Sequence, residues 1–276
     1  AVAQSFSCSV RWDSASSAVI ITTDTLAVHF IDVGQGDSIF IELPDGNTML
    51  IDAAEAAKAS VVSEYINSLG YSKINYIVAT HPHSDHIGGM ASILKTFPAD
   101  VFYMPDITHT TKTFENMVTA VSANSCKVKK AQAGTVLFES ENIKAVFLAP
   151  CSKTYSDLNN YSAVIKLTYG ALSFLFAADA ESIAENEMIQ SGYDLSADVL
   201  KVGHHGSDSS TTSSFLNKVS PRYAVISAGA DNGYGHPDEA TLKALSDKGV
   251  AVYRTDILGT VTFISDGSII TVNNSK

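Results

Sequence analysis

Cysteine, long apolar runs and positive charge are all scarce in this chain, and each shortage removes a class of protein. Cys8, Cys126 and Cys151 are odd in number and far apart, so they form neither a disulfide framework nor a zinc ribbon. No apolar run reaches the roughly 18 residues of a membrane-spanning helix. Lys and Arg total 18 against 29 Asp and Glu, a formal net charge of −11, which argues against a broad basic surface for tight duplex binding. A local patch or a metal centre can still hold an anionic substrate. Repeats and low-complexity tracts are also lacking, which excludes a solenoid. The sequence opens at Ala1 without a methionine or an apolar leader, as expected where an earlier segment has been removed.

What is present is ordinary core-forming material: 45% of the 276 residues are hydrophobic and 17% charged, enough for one large domain or two modest ones. "LAVHFID", "DSIFIEL" and "NTMLID" predict three short strands, with Pro44-Asp45-Gly46-Asn47 turning between the second and third. Apolar residues at helical spacing in "AAKASVVSEYINSLG" predict a helix capped at Gly70, followed by the strand "INYIVAT" and a helix in "GGMASILKTF" ended by Pro98. The second half alternates in the same style. Strands are expected at 143–149, 162–169, 172–178, 197–203, 223–227, 250–254, 260–265 and 268–272, and helices at 181–191, 211–219 and 237–248. Sheets with helices outside them fit this order. Residues 1–24 differ, being rich in Ser and Thr and ending in a "TTDT" break.

Chemistry concentrates in "VATHPHSDHIGGM", where His81, His83, Asp85 and His86 fall within six positions at the end of an apolar strand. Imidazoles at 81 and 83 share one side of an extended segment and can share one ion. Asp85 and His86 follow as the chain turns, better placed for a second, adjacent ion. Crowded neutral imidazoles and a carboxylate gain little without a cation, so the pattern points to two metals.

"HPHSDH" resembles the HxHxDH signature of the metallo-β-lactamase superfamily. The resemblance implies an α+β fold, an αββα four-layer sandwich, over 25–276. It also implies a bridging aspartate, Asp179 in "LFAADAE", and a final metal histidine in "ADVLKVGHHGS". The superfamily's "GHG" wording selects His205 as that ligand and leaves His204 for the substrate or for orienting its neighbour. The usual third histidine of the first metal is lacking from "SDLNNYSAV". Asn159, Asn160 and Asp157 are the expected substitutes, and oxygen ligands there would hold zinc weakly or suit manganese. The Asp85 and His86 side is therefore the better-held half of the expected site.

"VHFIDVGQGDSIFIELPDGNTMLIDA", "NNYSAVIKLTYGALSFLFAADAE", "VISAGADNGYGHP" and "YRTDILGTVTFISDG" further resemble the hydrolase domain of the ComEC competence proteins and their free-standing relatives. That resemblance implies a hydrolase with two divalent ions, zinc first and manganese second. A hydroxide held between the ions would attack a phosphodiester, either of nucleic acid or of a phosphocholine-type ester. Asp85, His204 and His236 are the expected catalytic residues, and Asn159, Asn160, Asn232 and Tyr234 the expected substrate contacts. A lactone, thioester or amide hydrolase, or a surface binding module with a degraded site, are the alternatives. "DVGQGD" predicts a tight turn, with Asp32, Asp37 and Asp52 in support of the cluster, while His29 and His109 are expected to be structural or solvated. Residues 1–24 resemble the end of a copper amine oxidase N-terminal-like module, which implies a secreted or cell-surface bacterial protein. Oligomeric state is left open.

Overall fold

The computed structural model describes residues 8–13 and 18–276, with side chains from Asp24 onward. Strands β1 (Cys8–Asp13) and β2 (Ala18–Thr23) pair as an antiparallel hairpin. The stretch expected over 1–24 to be the end of a preceding module includes these strands, and its residues 1–7 and 14–17 lie outside those described.

Two sheets follow. The first is built from β3 (Leu26–Phe30), β4 (Ile39–Glu42), β5 (Thr48–Ile51), β6 (Ile74–Val78), β7 (Ala99–Met104) and β8 (Lys127–Lys130), and is extended by two late strands, β16 (Val261–Ser265) and β17 (Ile270–Asn274). Its order is β17-β16-β3-β4-β5-β6-β7-β8, antiparallel as far as β5 and parallel beyond. The second contains β9 (Val136–Glu139), β10 (Ile143–Phe147), β11 (Ile165–Tyr169), β12 (Leu172–Phe176), β13 (Val199–Lys201), β14 (Tyr223–Ile226) and β15 (Ala251–Arg254). Strands β12 to β15 run parallel, while β9 to β12 are antiparallel.

The alternation of side chains along each strand makes the four layers. Ile39 and Ile41, Met49 and Ile51, Phe174 and Phe176, and Val199 and Val225 meet in one core between the sheets. Their sequence neighbours point the other way. Phe40, Leu50, Ile77 and Phe102 pack under the helices α1 (Ala59–Ser68), α3 (Met90–Thr96) and α4 (Lys112–Asn124). Leu175, Leu200, Ala224 and Ile226 pack under α5 (Ser182–Gln190), α6 (Ser213–Val219) and α7 (Glu239–Asp247). Strands buried on both faces read as continuous apolar runs, which is why they were visible in the sequence. The αββα sandwich expected from the resemblance is the observed architecture.

Residues 99–142 had no predicted element, yet they hold β7, α4, β8 and β9. Strand β8, "KVKK", is exposed along its whole length, so its strand character comes from pairing with β7 rather than from apolar alternation. Among the described residues no helix is long and apolar enough to cross a membrane.

Candidate metal centre

The carboxyl ends of the parallel strands β5, β6, β12, β13 and β14 collect the ligand-type residues on one rim, where an α/β sheet ordinarily places its site. After β5 the chain turns through Asp52 and Ala54, both at a φ of 57°. After β6 it runs extended through His81 and His83 and enters a single helical turn, α2 (Ser84–Ile87). After β12 comes Asp179. After β13 a Gly203–Gly206 turn holds His204 and His205 at φ 45° and 53°, backbone conformations that persist only where the surroundings enforce them.

Asp179 Oδ2 lies at the centre of this rim. It is 3.1 Å from His86 Nε2, 3.5 Å from His205 Nε2, and 3.8 Å from both His81 Nε2 and His204 Nε2. Asp85 Oδ2 closes the set at 3.3 Å from His205 Nε2 and 3.7 Å from His86 Nε2. Ligand atoms of Asp85, His86, Asp179 and His205 all lie within 4.8 Å of one another.

The tautomers of two of these histidines follow from their partners. His205 Nδ1 donates to the Ser227 carbonyl at 2.9 Å, and His86 Nδ1 faces Asp52 Oδ2 at 2.7 Å, so the Nε2 lone pair of each is turned inward. Among the described residues, the buried His86 Nε2, His205 Nε2 and Asp179 Oδ1 have no hydrogen-bond partner. Nitrogens and carboxylate oxygens that crowd a point without pairing fit a shared divalent cation.

Electrostatics agree. Burial alone would lower the His86 pKa, but Asp179, Asp85 and Asp52 outweigh it and hold it well above the usual value. His205 is likewise raised, to about 9, by Asp179 and Asp85 against its burial. Asp179 is held well below the ordinary carboxylate range, since His205 and His86 overcome the cost of burying it. Three carboxylates thus make this buried point favour positive charge.

The first-metal side is sparser. His81 Nε2 lies 3.0 Å from His83 Nδ1, and burial together with the neighbouring His86 depresses the His81 pKa. The amide nitrogens of Asn159 and Asn160 donate instead to Glu181, at 3.3 and 3.4 Å, while Asp157 caps the turn by accepting from Asn159 N. None of the three lines the cavity beside the cluster, though Asn159 Oδ1 is buried without a partner. From that loop it is Ser162 that reaches the cluster, its Oγ 3.5 Å from His81 Nδ1 while accepting from Asp179 N. A hydroxyl that accepts from the backbone gives no sequence signal, so spacing could not have found it.

The cavity, about 290 Å³, is open and mixed in polarity, lined by Gln35, His83, Ser84, Asp85, Asp179, His204, His205, Tyr234 and His236. Tyr234 is 73% exposed, with its ring stacked on His236 at 5.8 Å. Asn232 was expected to touch substrate, but its side chain ties its own loop together. It accepts from Tyr234 N and His236 N and donates to the Gly229 and His236 carbonyls. Gln35, inside the expected "DVGQGD" turn, reaches the cavity because Gly36 passes against the Asp85 carbonyl. Asp37 binds the fully buried Lys201 at 2.9 Å, on the cluster's inner side. Asp32 stands apart, bonded to Gly34 N and to Lys276. His29 is structural, held by Tyr65 and Glu42, and His109 bonds Thr111.

A family model described as the metallo-beta-lactamase superfamily matches residues 31–230. The chain belongs to the metallo-β-lactamase superfamily. This superfamily has a hydrolase fold that binds divalent metals, in accord with the His/Asp cluster. Within it, the chain is 29% identical over 253 residues to ComE operon protein 3 of Bacillus subtilis, covering 86% of this chain and 32% of that protein. It is 30% identical over 239 residues to competence protein ComA of Neisseria gonorrhoeae, with the same coverages. The chain therefore spans about a third of the length of the curated relatives it matches. Among solved structures, the metallo-β-lactamase fold protein YhfI of Bacillus subtilis superposes over 88% of this chain and all of its own, with a TM-score of 0.57 at 14% identity, a likeness of fold.

Proposed function

We propose that this chain is a metal-dependent phosphodiesterase of the ComEC-like branch, acting on a nucleic-acid or phosphocholine-type ester. The convergence of Asp85, His86, Asp179 and His205 beside an open, histidine-lined cavity carries this reading. The similarity to competence proteins at 29–30% identity supports the branch. Asp85, His86, Asp179 and His205 would hold one ion, and His81, His83 and Asp179 a second, more weakly. Zinc suits these mixed imidazole and carboxylate sets, and manganese is the other candidate. When bound, such ions supply charge for the phosphate oxygens and a water acidic enough to ionise near neutral pH.

The chain's own residues do the remainder. Asp179, which lies among the histidines of both groups, would be a ligand common to the two. His204 and His236 line the cavity and meet the phosphate or the departing oxygen. Tyr234 forms the exposed lip over His236. Secretion, and the reading of residues 1–24 as the end of a preceding module, belong to the same proposal and rest on the resemblance of that stretch.

The test is a panel in which metal-stripped protein receives zinc or manganese and is assayed on bis(p-nitrophenyl) phosphate, a dinucleoside phosphate and a lactone. Diester turnover that is lost in Asp85→Ala is expected. Lactone turnover without diester turnover would overturn the reading.

A further inference from the structure

Glu181 entered none of the sequence expectations, yet four side chains beside the cleft converge on it. It follows Asp179 by two residues and stands just before α5. Asn159 Nδ2 donates to its Oε1 at 3.3 Å, Asn160 Nδ2 to its Oε2 at 3.4 Å, and Ser209 Oγ to its Oε1 at 2.9 Å. His204 Nδ1 lies 3.3 Å from the same Oε1 and 3.2 Å from Ser209 Oγ. The clamp is itself anchored: Asn160 Oδ1 accepts from Ala184 N, and Ser182 N donates to the Ser209 carbonyl.

Each contact has a direction that chemistry imposes. An ionised carboxylate only accepts, and two amide groups and a hydroxyl donate to this one. His204 Nδ1 therefore gains most by carrying a proton toward Glu181 and Ser209, which leaves Nε2 as the atom presented to the cleft, 3.8 Å from Asp179 Oδ2. The neighbouring His205 is oriented by a neutral carbonyl instead, so two adjacent histidines of one "GHHG" turn are set by different acceptors. The "NNYS" loop, which the resemblance offered as a source of metal ligands, thus acts on His204 at one remove.

We propose that Glu181 is a positioning residue which, with Asn159, Asn160 and Ser209, holds His204 with Nδ1–H on the carboxylate side and Nε2 over the cleft. The consequence rests on the phosphodiesterase reading. Nε2, which carries the lone pair in this tautomer, takes the proton shed by the attacking water as its oxygen bonds to phosphorus, and gives it to the departing oxygen as that bond to phosphorus breaks. The ring keeps its Nδ1 proton on the Glu181 and Ser209 side throughout. An alkoxide leaving group needs that proton, whereas a nitrophenolate departs without it.

The experiment uses metal-loaded protein carrying ¹⁵N-histidine. Long-range ¹H–¹⁵N spectra are expected to show His204 protonated at Nδ1 in the wild type and as a tautomer mixture in Glu181→Ala. His86, His205 and the bound metal per chain should be unchanged. In turnover, Glu181→Ala should lower kcat for a dinucleoside phosphate by about 10²-fold at little-altered KM. The loss should exceed that on bis(p-nitrophenyl) phosphate by about tenfold or more. Adding Glu181→Ala to His204→Ala should cost nothing further. An unchanged His204 tautomer in Glu181→Ala, or equal losses on both esters together with lost metal, would overturn the proposal. If the wild type turns over neither ester, the phosphodiesterase reading falls and the tautomer result alone decides the role of Glu181.

Discussion

Asp52 Oδ2 lies 2.7 Å from His86 Nδ1, with both side chains wholly buried and Thr80 donating its N–H and Oγ1–H to the same carboxylate. This carboxylate holds the ring that turns Nε2 toward Asp179 and makes it a more basic ligand. Asp52→Asn keeps the left-handed φ, which Asn tolerates, and the volume, but loses the charge. It is expected to weaken zinc binding by about 10- to 100-fold, measured by competition with a chelator. Unchanged affinity would show that His86 needs no such partner.

His204 and His205 differ in kind. His205 is buried within the four-residue cluster, while His204 is oriented by Glu181 and faces the cavity. His205→Ala should lower the metal content of purified protein, and His204→Ala should retain metal while losing diester turnover. Elemental analysis paired with kinetics reads both, and a His204→Ala protein that lost its metal would reverse the assignment.

Gly36 has φ +119°, and a Cβ there would lie 2.3 Å from the Asp85 carbonyl oxygen, which accepts from Asp37 N. Gly36→Ala must push the Asp85 turn aside. A loss of about 2–4 kcal/mol in urea unfolding is expected, along with weakened metal binding. Gly46→Ala is the control, since Gly46 has φ +84° but nothing within 4 Å, so only the backbone strain of about 1–2 kcal/mol applies.

The stability of the Lys166–Asp194 contact should depend on acid. Lys166 Nζ is 2.6 Å from Asp194 Oδ2, and this hydrogen bond, with one from Ser196, lowers the Asp194 pKa to about 2. Because the folded value lies below the unfolded one, near 3.9, the contribution is complete above about pH 5 and is lost as pH falls through about 2. Asp194 is mostly exposed, so Asp194→Asn should cost only about 0.2–1 kcal/mol near pH 6, and the difference from wild type should vanish near pH 2 in urea titrations.

The parts legible in advance share a physical cause. Strands buried on both faces, such as "IFIE" and "LSFLF", must be apolar wherever they are buried, with Glu42 and Ser173 at the partly exposed positions, so β4 and β12 stood out. Strand β8 escaped because a neighbouring strand, not apolar burial, makes it extended. The His81–His86 cluster was legible because its members are close in the chain, whereas Asp179 and His205 were named only through the resemblance.

Residue types and their local spacing, then, were enough to mark the His81–His86 cluster and sheets with helices outside them, while the αββα layering and the addition of Asp179 and His205 came from the resemblance. Which ligand types gather round one point was decided by the sandwich, which brings the ends of β5, β6, β12 and β13 to a common rim. Side-chain direction was decided there as well. Asn159 and Asn160 turn to Glu181, Asn232 to its own loop and Ser162 to Asp179 N, because a hydrogen bond is satisfied by whichever partner folding brings within about 3 Å, however distant in the chain.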